Sequence, residues 1–473
     1  MLFPTIDFAV FLAFVLIAAT VARALGNTAN KIFLVLASLA FYSFWSVGFA
    51  ALMVGVAVLT WFTGRVNRLV PNRRLRIAMV AVAITIALGI LAYFKYYNFA
   101  ILLLFNSSVT QIFGLQLQFI EVVTPVAISF FTFHAISYIV DTYKNPSLSA
   151  RSPIDVLLYI SFFPHLVAGP IVRAATFIPQ LAETPQRTAL RYAEAMMLIF
   201  SGLWKKMIAA NYLAVLIVEP VFTAPSLYGS ADLALAAVAY AFQIYFDFSA
   251  YSSIAIGVAA LLGYHFPENF DQPYRSLSVR EFWRRWHITL SSWLRDYLYI
   301  PLGGSRRGAV RMALNLMITM VLGGLWHGAN TTFLVWGTMH GLALVFVHFW
   351  SKTGPAQRVA NALAYKVFAW ALTFVFLLAT WVVFRSPDFA TAGQFFTGLF
   401  TNWAAPELAS GLVLGLIALG FVGQFLPPTL RSSTAAWLAE CAMPAQVGLA
   451  TAGMVALLLI APSDSAPFIY FQF

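Results

Sequence analysis

The sequence predicts an all-α, polytopic integral membrane protein with about 11–12 transmembrane helices, plus re-entrant and amphipathic helices. Three observations carry that fold class. Of 473 residues, 61% are hydrophobic and only 10% charged, more apolar surface than a water-soluble chain of this length can hide. Apolar runs of spanning length recur from one end of the chain to the other. The basic residues collect in the short connections between those runs.

The first run, 7–25, follows Asp7 rather than a basic segment and has no Ala-x-Ala site after it, so it reads as a retained span rather than a cleaved signal. Further spans are expected at 32–47, 48–63, 77–104, 119–140, 190–222, 232–262, 310–326, 331–350, 367–385, 409–426 and 446–461. The fragment 159–171 is too short to cross and is interrupted by Pro164, His165 and Pro170. It reads as a re-entrant hairpin, a backbone tolerated at membrane depth only when buried in protein or lining a cavity. At 100° per residue, 284–297 forms an amphipathic helix. Arg284, His287, Ser291 and Arg295 share one cationic stripe, with Phe282, Trp286, Leu290, Trp293 and Tyr297 opposite. Arginines at 65–76, 141–191 and 275–311, with Lys352, Arg358 and Lys366, place four loops on one side, the cytoplasm, and both termini outside. The whole chain, 1–473, reads as a single transmembrane domain with its core at 119–350 and an aromatic tail at 462–473. The net charge of +11 is accounted for by this topology and by membrane lipids; nucleic acid need not be invoked.

The chemistry concentrates between 281 and 330. His287 and His327 each follow a tryptophan in a very apolar setting, and an ionisable group at membrane depth marks a functional site. A neutral imidazole in a dry site can take a proton from a hydroxyl, and Trp326 before His327 and Gly328 after it leave room for a second molecule. The bland alternative is a pair of hydrogen-bonded structural histidines. His327, His340 and His348 fit no metal-ligand spacing, and the single cysteine, Cys441, permits neither an internal disulfide nor a CxxC site, so no metal is expected. There is no G-x-S-x-G elbow and no P-loop. Arg284, Arg285, Arg295 and Arg306 serve either as lipid and topology anchors or as a dock for a phosphate-bearing donor. Asp247, Ser291, Trp326 and Asn330 are candidate cavity-lining groups, and Asp247 must be paired or face a cavity.

These residues lie in segments that resemble the membrane-bound O-acyltransferase superfamily, and within it the bacterial alginate O-acetyltransferase branch. The matching stretches include 129–143, 163–173, 247–253, Asn269-Phe-Asp-Gln-Pro-Tyr274, Glu281-Phe-Trp-Arg-Arg-Trp-His287, 293–304 and Gly323-Gly-Leu-Trp-His-Gly-Ala-Asn330. The resemblance implies the superfamily's fold, with His327 at its near-invariant histidine and His287 at its second polar position. It further implies transfer of an acetyl group from cytosolic acetyl-CoA, a substrate rather than a bound cofactor, to a hydroxyl, for O-acetylation of an exported polysaccharide such as alginate. A periplasmic SGNH-type acetyltransferase, the polysaccharide export machinery and a bacterial inner-membrane location follow from the same likeness. D-alanyl transfer to an envelope polymer is the same-chemistry alternative; a transporter is the rival from another class. The C-terminal Pro467-Phe-Ile-Tyr-Phe-Gln-Phe473 is either an interfacial anchor or, through Tyr470, an acyl acceptor.

Overall fold

Each of the twelve apolar runs overlaps a helix in the computed structural model, which describes residues 3–104, 119–150, 152–183, 188–427 and 429–462, although the 119–140 run is irregular over 119–127 and helical only from Ile128. Among the described residues, nine helices are long and apolar enough to cross a membrane. The other three runs correspond to the shorter helices Asn27–Ser43, Ile128–Lys144 and Gly411–Phe425. No strand occurs among the described residues. Helix starts carry side-chain caps: Phe8 N–H donates to Thr5 Oγ1 (3.2 Å) and Phe49 N–H to Ser46 Oγ (3.3 Å), satisfying amides that the first turn leaves open.

The chain gathers into two compact units, Met1–Ala195 with Ala255–Pro267, and Met196–Ile254 with Glu268–Phe473. In the first, Asn67 Nδ2 donates to Ile139 O and Thr142 Oγ1, and Lys31 pairs with Asp155 at 2.8 Å. The expected re-entrant segment is two short helices, Pro153–Ser161 and Phe163–Leu166, followed by irregular backbone, all of it buried from Leu158 to Val172. That burial is the condition under which non-helical backbone survives at membrane depth.

In the second unit, the helical path from Ala189 to Thr223 widens into π-turns at Lys205–Ala210 and Ala214–Val218. The first of these carries Lys206, whose ammonium lies 2.8 Å from Asp247 with both side chains under 5% exposed. Asp247 is therefore one half of a buried ion pair. The 276–301 region departs from the expected continuous amphipathic helix. It is Val279–Arg285, an extended Trp286, a left-handed His287, then Ile288–Leu294 and a π-turn at Arg295–Tyr299. The cationic stripe through Arg284 and Arg295 therefore does not contain His287, which is 0% exposed. The break is local: Trp286 N–H still bonds Phe282 O (2.7 Å), whereas Ile288 N–H turns away to Asn269 O (2.9 Å).

Candidate active site

The Ala309–His327 and Thr331–Trp350 helices form a tight antiparallel hairpin, and His327 is the last residue of the first. It is 5% exposed, with its ring edge-on to Trp326, Trp336 and Phe384 at centroid distances of 5.1, 5.1 and 5.4 Å. The expected opening at Gly328 is already occupied. A Cβ there would meet the Phe333 ring at 2.1 Å, so the glycine admits a neighbouring side chain rather than a second molecule. Asn330 turns the corner of the hairpin: its Oδ1 accepts from Thr332 N–H and its Nδ2 donates to Pro387 O, so its side chain is engaged as a cap.

His287 also contacts Trp326, 6.1 Å between ring centroids. The two sequence-predicted histidines are thus brought against one indole. His287 has φ = 42°, a left-handed conformation that costs a non-glycine residue on the order of 1 kcal/mol or more and that marks functional positions. Asn269 holds it there. The backbone N–H and hydroxyl of Thr289 both donate to Asn269 Oδ1, at 3.2 and 2.8 Å, while Asn269 Nδ2 donates to Ser252 Oγ at 3.0 Å. An amide N–H can only donate, so the atom facing Thr289 is the oxygen, and His287 Nδ1, 3.1 Å from that same oxygen, carries the proton. Nε2 is then left with its lone pair, buried and without a hydrogen-bond partner among the described residues. Burial pushes the imidazole down to about 3, because a charge here would lose its water. The result is a neutral base at physiological pH with one orientation.

A direct test follows. Asn269→Ala frees the ring and lowers turnover, whereas Asn269→Asp keeps an acceptor for Nδ1–H and adds a charge that favours the imidazolium. The acidic limb of the pH–rate profile then moves to higher pH in Asn269→Asp. An unmoved limb with reduced turnover would make Asn269 a packing residue only.

The four candidate arginines separate into two kinds. Arg285 is held by Glu281 (3.0 Å) and Asp271 (2.7 Å) and clamps the Asn269–Asp271 segment against the Val279–Arg285 helix. Arg295 makes two contacts with its neighbour Asp296 but is 61% exposed. Arg284 and Arg306 are exposed. Ser291 Oγ donates back to Trp286 O across the helix break. Tyr470 lies outside the described residues. Among the described residues no cluster of three or more His, Cys, Asp and Glu side chains could hold a metal.

Sequence reasoning missed Asn269, eighteen residues before the histidine it orients, and Lys206, whose place in a π-turn has no sequence signature. It also treated His340 only as a possible metal ligand. Trp283 Nε1 donates to His340 Nδ1 at 3.2 Å, both groups buried in the wall that Trp336 shares with His327.

The chain as a whole is similar to known proteins. Residues 147–386 match the model of the MBOAT, membrane-bound O-acyltransferase family. The chain is 35% identical to a probable alginate O-acetylase of Pseudomonas putida, over 95% of each chain. It is 38% identical to the corresponding protein of Pseudomonas syringae pv. tomato, over 83% of this chain and 74% of that one. A peptidoglycan O-acetyltransferase of Helicobacter pylori is 35% identical, over 78% of this chain and 73% of its own length.

Proposed function

The chain belongs to the membrane-bound O-acyltransferase family and is an O-acyltransferase, and on that premise we propose that it moves an acetyl group from cytosolic acetyl-CoA to a hydroxyl, for O-acetylation of an exported polysaccharide. The observation that carries the reading is the pair of buried imidazoles that both contact the Trp326 ring, one of them locked with a free Nε2 lone pair. Acyl transfer to a hydroxyl needs a group that takes the hydroxyl proton as the C–O bond forms, and a dry, neutral imidazole does so without competing water.

The donor's phosphates dock on Arg284 and Arg306, with Arg295 released from Asp296 to join them; Arg285 supports the site through its two carboxylates. The alginate O-acetylases and the peptidoglycan O-acetyltransferase among the relatives support a glycan as final acceptor. The chain works in the inner membrane; Tyr470 is the first hydroxyl to receive the acetyl group, which then passes to a periplasmic SGNH-type partner. The phenol's ordinary pKa near 10 requires a base to remove its proton.

Purified protein incubated with radiolabelled acetyl-CoA tests both parts. The wild type is expected to release CoA and to carry label on its C-terminal peptide, and Tyr470→Phe to carry none there. No CoA release by folded wild-type protein rejects the donor. CoA release with label absent from that peptide returns the tail to the role of an anchor.

A further inference from the structure

We propose that His340 is a further catalytic residue, one whose Nε2–H binds the carbonyl oxygen of the acyl donor as negative charge develops on it. The proposal rests on the acyl-transfer reading above, in that it supplies the oxyanion donor such a reaction needs.

The tautomer follows from the hydrogen bond. An indole N–H is a donor only, so the nitrogen it meets, His340 Nδ1 at 3.2 Å from Trp283 Nε1, is the acceptor. The proton of a neutral imidazole must then sit on Nε2. That N–H is buried in a residue that is 0% exposed, and it has no hydrogen-bond partner among the described residues. Buried donors in native proteins are almost always satisfied, and an exception calls for a reason, a reacting ligand among them. A purely structural Trp–His contact explains Nδ1 and leaves Nε2–H unexplained.

Position supports the role. His340 lies one helical turn beyond Trp336 on the Thr331–Trp350 helix. Its ring packs on that indole at 4.6 Å, and the same indole meets His327 at 5.1 Å. The Val279–Arg285 helix, which delivers Trp283, leads directly into His287. A chain of ring contacts runs from His287 through Trp326, His327 and Trp336 to His340, and its two ends are locked in opposite tautomers: His287 as Nδ1–H with a basic Nε2, and His340 as Nε2–H with an acidic edge. Pairs of titratable groups driven to opposite tasks by their surroundings are how a site divides acid from base work, and a neutral imidazole is able to polarise a carbonyl.

The step balances without another reagent. The acceptor oxygen attacks the thioester carbon and forms a C–O bond while its proton passes to a basic imidazole. The carbonyl π pair moves onto oxygen, where His340 Nε2–H bonds it. Re-forming C=O breaks the C–S bond, and the departing thiolate recovers the proton.

Removing one oxyanion donor costs about 10²–10³-fold in turnover. His340→Leu is expected to lower kcat by that factor with the donor KM within a few-fold of wild type. His340→Gln, whose amide N–H reaches nearly the same point, is expected to recover at least about tenfold. Trp283→Phe keeps the ring but lets both tautomers form, so kcat falls, and adding Trp283→Phe to His340→Gln costs no more because an amide has no tautomer. In histidine-labelled protein, 15N resonances should report His340 as the Nε2–H tautomer in the wild type and a mixture in Trp283→Phe. That readout needs no substrate: the other tautomer in the wild type overturns the proposal whatever the donor, whereas wild-type protein inert to acetyl-CoA rejects the donor alone. Should His340→Leu fail to fold, unchanged kcat in folded Trp283→Phe overturns the role, as does a folded His340→Gln with less than about one hundredth of wild-type turnover.

Discussion

Substituting His327 with alanine is expected to abolish acyl transfer while leaving the protein folded and inserted. The two halves of that expectation have separate grounds. The imidazole stands at the end of its helix, edge-on to three aromatic rings, and general-base catalysis is typically worth about 10²–10⁴-fold. The hairpin that carries it does not depend on the ring, because Asn330 caps the turn and Phe333 packs against Gly328. The measurement is turnover of labelled acetyl-CoA set beside a thermal melt in detergent. Near-normal turnover in a well-folded His327→Ala protein would move the base elsewhere, and His287, whose buried Nε2 lone pair has no hydrogen-bond partner among the described residues, is where it would move. His287→Ala separates the cases: with both histidines in the reaction, the double variant loses little more than the worse single one, since residues acting as a unit are not additive.

How much of this was readable beforehand divides along the range of the interactions. The spans were legible because a membrane imposes a length on each of them, so 7–25 or 310–326 identifies itself without reference to any other segment. His287 and His327 were legible because each is an ionisable group in an apolar stretch. What made them a site was not. The 100° periodicity of 284–297 is satisfied equally by one helix and by two short ones. The break at Trp286–His287 is decided by Asn269, which recruits the Ile288 and Thr289 amides out of the helical pattern. Likewise Asp247 announced a need for a partner, but the partner, Lys206, reaches it from a π-turn, and π-turns insert a residue without any local mark. The arginine cluster read as uniform in sequence, yet the carboxylates Asp271, Glu281 and Asp296 divide it into engaged and exposed members.

Gly337→Ala should cost the protein much of its stability through a single added methyl, and the reason lies in the same hairpin. A Cβ at Gly337 would stand 2.4 Å from the Met320 carbonyl oxygen and 3.0 Å from Val321 Cα; at Gly324 it would stand 2.2 Å from Phe333 O. Every obstructing atom is backbone of the facing helix, so no side chain can swing aside, and the two helices must part. Without a hydrophobic drive between lipid-immersed helices, this close approach through small residues is a main source of their association. Overpacking costs about 1–3 kcal/mol where a core can adjust, and the backbone contacts here put the expected loss at or above the top of that range. Parting the helices also withdraws Trp336 from His327, so activity should fall faster than the folded fraction. Gly415→Ala is the control: its Cβ meets nothing within 4 Å, and alanine in a helix interior is favoured over glycine by roughly 0.5–1 kcal/mol. The melting temperature should therefore drop steeply in Gly337→Ala and hold or rise in Gly415→Ala. Gly324→Ala added to Gly337→Ala should cost less than the two singles together, because helices already parted by one methyl have made room for the other. A Gly337→Ala protein that melts with the wild type would mean that the helices are free to separate without loss, and that something other than their contact holds His327 against Trp336.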